Sequence, residues 1–223
     1  MSTSSETMSA STPSSSPYKA KVLVATSKSS IGSVLSQPII QACQSSLSSR
    51  DIFTIALSGG SLPIFLQTLP ESFKLAGVDP QWDKWHVLLA DERCVPPSHD
   101  DSNLKAIRDH FTTCVPIPVE QVYGIDNTLL DKSSKVVAKS YCENVVKPLL
   151  EKSGGMLDCV VLVSVVCSAL ETTILHLGTL ACAETLTYLL PIMNQGVWSR
   201  WPYMFTISKS CITKRTISLS ISH

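Results

Sequence analysis

Apolar runs of strand length alternate along the chain with stretches whose apolar residues recur at helical spacing. The apolar runs lie at 21–25, 52–57, 85–90 and 157–162. The stretches of helical character lie at 31–47, 62–69, 102–111 and 131–152. The runs are mostly apolar without a strict alternation of apolar and polar residues, which is typical of strands buried on both faces. The pattern therefore predicts an α/β domain with a parallel-rich sheet and helices on both faces.

The first 17 residues have a different character from the domain that follows. They hold eight Ser and three Thr, without any Lys or Arg and without an apolar run. Such a segment cannot bury enough apolar area to offset the entropy of ordering it, so residues 1–17 are predicted to be a disordered tail. The segment also lacks the positive start and apolar core of a secretory signal and the arginines of a mitochondrial presequence.

The pattern changes again after about Leu162. Residues 164–223 hold only two acidic and four basic side chains, and glycine occurs there only twice. We expect the predicted α/β domain to occupy 18–162 and to be incomplete, and residues 163–223 to form a poorly packed tail, with a helix at roughly 171–190. The apolar run that begins at Cys159 stops at Glu171, short of the ~18 residues of a membrane span.

Charge and cysteine content exclude several classes of function. The 18 basic and 18 acidic residues balance, so no basic surface is available for nucleic acid or for an anionic membrane. The eight cysteines form no C-x-x-C pair and have no histidine at zinc-ligand spacing. They are therefore interpreted as reduced thiols, and the expected location is the cytoplasm.

The first candidate site is the loop Ser58-Gly59-Gly60-Ser61, which lies between an apolar strand and a predicted helix. Ligands of open α/β sheets collect at the carboxyl ends of the strands. Glycine lets backbone amides approach an anion closely, and two hydroxyls with the amides of a helix start would complete a phosphate cradle. A plain tight turn explains the same four residues equally well.

The second candidate is the charged triplet Asp91-Glu92-Arg93, which follows the next apolar strand. Three consecutive charges are costly to bury, so they tend to face a cleft or solvent. Arg93 could hold a phosphate or carboxylate, and Asp91 could transfer a proton or organise a neighbour. A polar cluster at 99–103 follows, and the pair His99 and Asp101 is not supported as a metal site by any further ligand.

Three segments of the chain read FTIALSGGSLP, WHVLLADERCVPPSHDDSN and VYGID. Together they resemble the 6-phosphogluconolactonase family of the pentose phosphate pathway, and the resemblance runs from about residue 18 to 162. It implies hydrolysis of 6-phospho-D-glucono-1,5-lactone, a small-molecule phosphosugar lactone, to 6-phosphogluconate without a metal or organic cofactor. It also implies a phosphosugar site made by Ser58, Gly59, Gly60, Ser61 and Arg93 and lined by Asp91, Glu92 and Asn103. Related glucosamine-6-phosphate deaminases typically carry Tyr where Arg93 stands.

The chain departs from that family after the last apolar strand. The family continues with G-x-G-x-D-G-H-x-x-S-L-F-P, whose histidine is the expected general base, whereas this chain reads Val-Ser-Val-Val-Cys-Ser at 163–168. His176 lies in a different context, so no catalytic residue is assigned. The sequence therefore predicts an impaired lactonase, with an inactive phosphosugar-binding remnant or an isomerase/deaminase as alternatives. A shifted reading frame or a retained intron would account for the altered C-terminal segment.

Overall fold

The computed structural model describes residues 21–166, 172–178, 204–206 and 216–221. The helices within them are α1 (Ile31–Arg50), α2 (Leu62–Phe65), α3 (Leu69–Leu75), α4 (Asn103–His110), α5 (Ser134–Tyr141) and α6 (Lys147–Lys152). The strands are β1 (Lys21–Ala25), β2 (Phe53–Leu57), β3 (Trp85–Leu89), β4 (Asp91–Arg93), β5 (Cys159–Val166), β6 (Thr172–Gly178), β7 (Met204–Thr206) and β8 (Thr216–Ile221). The predicted tail 1–17 and most of 163–223 lie outside the described residues.

Six of the described strands form one sheet in the order β1-β8-β6-β5-β2-β3. The pairs β1–β8, β5–β2 and β2–β3 are parallel, whereas β6 runs antiparallel to both β5 and β8. The short strands β4 and β7 form a separate antiparallel pair. Parallel pairings thus prevail in the described sheet, which confirms the prediction of a parallel-rich α/β fold.

Two predicted helices differ from the structure. The long helix expected at 131–152 consists of α5 and α6 joined by a π-helical turn at Cys142–Val146. The wider turn precedes Pro148, which has no N–H to donate to the carbonyl four residues earlier. The helix expected at about 171–190 is wrong over its first turns, because Thr172–Gly178 is strand β6. Its β-branched residues Thr172, Thr173 and Ile174 favour a strand. The rest of that range lies outside the described residues.

The core lies between the sheet and the helices on its faces. Every residue of β2 is buried, and α1 buries Leu35, Ile39 and Cys43. Phe53 and Trp85 on adjacent strands meet edge to face with ring centroids 4.5 Å apart. Burial raises the pKa of the Cys43 thiol to about 12, so this cysteine acts as a small apolar core residue.

A buried carboxylate ties the sheet to α1 at the amino ends of β2 and β5. Asp158 accepts hydrogen bonds from the Thr54 amide at 2.9 Å and the Thr54 hydroxyl at 2.8 Å. It also pairs with Arg50 in the last turn of α1. The Asp158 amide donates back to the Thr54 hydroxyl at 3.0 Å. These contacts stabilise the edge of the sheet opposite the candidate site.

The carboxyl ends of β2 and β3 are level with one another. Leu57 pairs with Leu89 in the register, and the Ala90 amide donates to the Leu57 carbonyl at 2.8 Å. The Ser58 amide donates to the Val161 carbonyl on β5 at 3.0 Å. The Ser-Gly-Gly-Ser loop and the charged triplet therefore leave the sheet at the same edge. Among the described residues no helix has the length and apolar character to cross a lipid bilayer.

Candidate functional site

The loop at 58–61 turns directly from β2 into α2. Ser58 is buried at the end of the strand, whereas Gly60 is exposed. Gly60 has a φ of +68°, in the left-handed region where a side chain is disfavoured. The turn therefore requires glycine at position 60 for its backbone conformation.

Gly59 is needed for a different reason, which is its closeness to Asn103. A Cβ built on Gly59 would lie 1.7 Å from Oδ1 of Asn103 and 2.3 Å from its Cγ. Real Cβ atoms essentially never come within 3.0 Å of another heavy atom. The Asn103 side chain is thus packed flat against the backbone of the loop.

Asn103 joins the loop to the first residue of β4. Its Nδ2 donates to the Asp91 carbonyl at 2.8 Å and to the Asp91 carboxylate at 2.9 Å. The Gly59 amide and the Arg93 guanidinium donate to the same carboxylate. Burial raises the pKa of Asp91, although the charge of Arg93 and the hydrogen bond from Asn103 oppose that rise. The Asp91 carboxylate therefore links Gly59, Arg93 and Asn103 through hydrogen bonds.

Glu92 is buried and contacts the start of α4. It is only 2% exposed, and its carboxylate accepts from the amides of Asn103 at 2.7 Å and Leu104 at 2.9 Å. It also accepts from the Ser102 hydroxyl at 3.2 Å and from the Arg93 amide at 2.7 Å. The first amides of a helix have no partner within the helix, so Glu92 supplies the acceptors that α4 lacks.

The structure therefore brings most of the predicted site residues to one place. Gly59, Asp91, Arg93 and Asn103 form one connected cluster. Ser58, Gly60 and Ser61 belong to the loop that Asn103 holds. The Arg93 side chain keeps 22% of its surface exposed. The cluster thus presents a cation beside a glycine-rich turn, an arrangement that can bind an anionic group.

Two histidines were weighed in the sequence analysis, and neither has a hydrogen bond or ion pair with this cluster among the contacts of the described residues. His99 is on the exposed loop before α4, with its Nδ1 3.8 Å from an Asp101 carboxylate oxygen. Within the described part of the chain, no group of three or more His, Cys, Asp or Glu side chains is arranged to hold a metal. His176 pairs with Leu162 in the register of β6 and β5.

Tyr141 holds the strand end that precedes Asp91, a role that was not predicted from the sequence. Its hydroxyl accepts from the Leu89 amide at 2.9 Å and donates to the Tyr123 carbonyl at 3.3 Å. Burial raises its pKa. Tyr141 thereby fixes the end of β3 just before Asp91. The sequence contained one signal for this role, which was a tyrosine on the apolar face of a predicted helix. The hydroxyl of a buried tyrosine requires a hydrogen-bond partner.

Comparison with known proteins shows the family of the chain. The family model described as glucosamine-6-phosphate isomerases/6-phosphogluconolactonase matches residues 26–163. Because this match covers more than half of the chain, the protein belongs to that family. The match ends within β5, at the point where the sequence departs from the lactonase pattern.

Similar proteins include plant 6-phosphogluconolactonases. The chain is 46% identical over 101 residues to probable 6-phosphogluconolactonase 3, chloroplastic, of Oryza sativa subsp. indica, covering 45% of this chain and 29% of that protein. It is 43% identical over 101 residues to 6-phosphogluconolactonase 3, chloroplastic, of Arabidopsis thaliana, covering 45% and 29%. The chain thus spans less than a third of the length of these curated relatives.

A solved structure supports the fold. The 6-phosphogluconolactonase of Trypanosoma cruzi superposes with a TM-score of 0.50 at 24% sequence identity. The superposition covers 60% of this chain and 52% of the other. The architecture of the described domain is therefore that of the family.

Proposed function

We propose that the chain recognises 6-phospho-D-glucono-1,5-lactone and its product 6-phosphogluconate, and that it hydrolyses the lactone poorly. The observation that carries this proposal is the placement of Arg93 beside the Ser58–Ser61 loop. A guanidinium with exposed surface next to a glycine-rich turn suits a phosphate group. The family match and the names of the plant relatives support a phosphorylated sugar lactone as the ligand.

The same geometry argues against a strong hydrolase. Hydrolysis requires water to attack the lactone carbonyl, the ring C–O bond to break and a proton to be removed from the water. A positioned general base typically contributes about 10²–10⁴-fold to such a step. Asp91 is a poor candidate for this base because its carboxylate already accepts from Arg93, Asn103 and Gly59. Binding through a remote phosphate does not replace the base, since it stabilises ground state and transition state alike.

Two other functions of the same site follow from the family. A protein that binds the phosphosugar without hydrolysing the lactone is the limiting case of this proposal, in which the rate of hydrolysis is zero. Isomerisation or deamination of an amino sugar phosphate is disfavoured by Arg93, because deaminases of this superfamily typically carry tyrosine at that position. Turnover of glucosamine 6-phosphate by the purified chain would favour the latter class.

The experiment that tests recognition is calorimetric titration of the purified chain with 6-phosphogluconate. We expect binding that Arg93→Ala weakens strongly. The matched control is Lys74→Ala on α3, because the Lys74 side chain is 80% exposed and its ion pair among the described residues is with its helix neighbour Glu71 at 3.8 Å. Equal affinity in wild type and Arg93→Ala would show that the phosphate binds elsewhere.

We also propose the domain limits and the location. The family match ends at residue 163, which supports a unit at 18–162 flanked by a segment at 1–17 and another at 163–223, although β6 and β8 of the latter segment pair within the sheet. Limited proteolysis should cleave both tails before the unit, and protection of the C-terminal tail would contradict this organisation. The buried Cys43 thiol suits a reducing compartment such as the cytoplasm. Cell fractionation tests the location against the chloroplast named for the plant relatives.

A further inference from the structure

Glu92 is a buried carboxylate without a cation. Within the described residues no Lys, Arg or His forms an ion pair with it, and the side chain is 2% exposed. Burying an unpaired charge is expensive unless hydrogen bonds compensate for the loss of water. Here compensation comes from three backbone amides and the Ser102 hydroxyl, at 2.7 to 3.2 Å.

These hydrogen bonds set the position of the first residue of α4. The Asn103 amide donates to Glu92 Oε1, and the Leu104 amide donates to Oε2. One carboxylate therefore bridges two successive amides and fixes both the start and the direction of the helix. Ser102 completes the turn by accepting from the Lys105 amide at 3.2 Å.

The side chain at that first position is the one that holds the candidate site. Asn103 packs against Gly59 and donates twice to Asp91, which in turn pairs with Arg93. A shift of the start of α4 by a few tenths of an ångström would move the Asn103 amide group by at least as much. The Gly59 contact has no slack to absorb this movement.

We propose that Glu92 is a positioning residue: by anchoring the start of α4 it sets Asn103, and through Asn103 it sets the Gly59 loop and the Asp91–Arg93 pair. This role rests on the proposed phosphosugar function of the loop and deepens it. It also assigns different tasks to the adjacent residues of the charged triplet. Asp91 and Arg93 belong to the ligand-facing cluster, whereas Glu92 acts on that cluster indirectly, through the start of α4.

The chain offers a matched control in Asp158. Like Glu92, Asp158 is a buried carboxylate that accepts several hydrogen bonds, but it lies at the opposite edge of the sheet. Glu92→Gln and Asp158→Asn each remove a charge and replace an acceptor oxygen with a donor. Both variants should lower stability. Only the first should alter the Gly59 loop.

The direct readout is the amide resonance of Gly59. In cell-free protein labelled with [¹³C′]Ser and [¹⁵N]Gly, only glycines that follow serine give a carbonyl-correlated peak, and these are Gly59 and Gly154. We expect Glu92→Gln to shift the Gly59 peak and leave Gly154 in place, and Asp158→Asn to leave Gly59 in place. An unmoved Gly59 peak in Glu92→Gln, or an equal shift in Asp158→Asn, would overturn the proposal.

A double-mutant cycle tests whether the effect passes through Asn103. Glu92→Gln should change the Gly59 peak much less in an Asn103→Ala background, because the connecting side chain is absent. The same change in both backgrounds would overturn the route through Asn103. If Glu92→Gln does not fold, Glu92→Asp serves in both experiments, since it keeps the charge but is too short to bridge the two amides.

Titration with 6-phosphogluconate separates this proposal from the proposed function. If the site binds the ligand, Glu92→Gln should weaken the affinity about tenfold, which corresponds to ~1.4 kcal/mol, while Asp158→Asn leaves it unchanged. Equal affinity in Glu92→Gln and wild type would overturn the positioning role. Absence of binding by the wild type would refute the proposed function, and the Gly59 resonance would still decide the role of Glu92.

Discussion

Replacing Gly59 with alanine perturbs the candidate site at its tightest contact. The new Cβ would lie 1.7 Å from Oδ1, 2.3 Å from Cγ and 2.9 Å from Nδ2 of Asn103. Asn103 is 4% exposed, so it has little room to turn away. Any rotation that relieves the clash lengthens its hydrogen bonds of 2.8 and 2.9 Å to Asp91.

Two costs add in this variant. Overpacking of a well-packed site typically costs about 1–3 kcal/mol. A buried amide that loses its acceptors costs about 1–3 kcal/mol more. Gly59 does not have the positive φ found at Gly60, so backbone strain does not contribute. We therefore expect Gly59→Ala to lower the free energy of unfolding by about 2–6 kcal/mol, together with a loss of phosphosugar affinity.

Urea unfolding of two further variants separates the clash from other effects. Gly60→Ala is the matched control, because no atom lies within 4 Å of its built Cβ. Its positive φ alone should cost about 1–2 kcal/mol. In an Asn103→Ala background the clash is absent, so the additional cost of Gly59→Ala should fall below ~1 kcal/mol. An undiminished cost in that background would refute the reasoning.

Two further predictions concern parts of the fold away from the site. Asp158→Asn should lower the free energy of unfolding by about 2–4 kcal/mol, measured in urea, because it removes the anionic partner of Arg50; a cost below ~1 kcal/mol would contradict this. Burial, with a smaller contribution from Lys152, lowers the pKa of His86, so the neutral ring adds stability above its ordinary pKa of about 6.5 that is lost at lower pH. Stability of the wild type should therefore fall more steeply than that of His86→Gln as the pH is lowered below about 6.5, and equal slopes would contradict this.

Much of the fold could be predicted because apolar runs of strand length alternate along the chain with stretches whose apolar residues recur at helical spacing. The apolar runs at 52–57 and 85–90 correspond to β2 and β3. The glycines that follow the first run and the charges that follow the second mark the loops at the carboxyl edge of the sheet. Parallel strands bring their carboxyl ends to one edge, so the meeting of Gly59 with Asp91 followed from the fold class. The break of the long helix before Pro148 could have been read from the proline, because it removes a backbone donor.

The roles within the site could not be predicted from residue type alone. Glu92 stands between Asp91 and Arg93 of the candidate-site cluster, yet successive side chains of a strand point to opposite sides. Its carboxylate therefore points into the core and meets α4, whose first residue lies eleven residues further along the chain. Asn103 was expected to line the site, but its packing against Gly59 depends on a distance that only the folded chain defines.

The central proposal is that the chain retains the phosphosugar half of a lactonase site, whereas its sequence at 163–168 replaces the segment that carries the expected general base in the family. The measurement that tests it most directly is the rate of 6-phospho-D-glucono-1,5-lactone hydrolysis by the purified chain, corrected with a protein-free blank because the lactone opens spontaneously. We predict a rate no greater than ~1% of that of an intact plant relative, as expected from the ~10²–10⁴-fold contribution of a general base. A rate close to that of the relative, abolished by Arg93→Ala, would contradict the claim and show that another residue of this chain supplies the base.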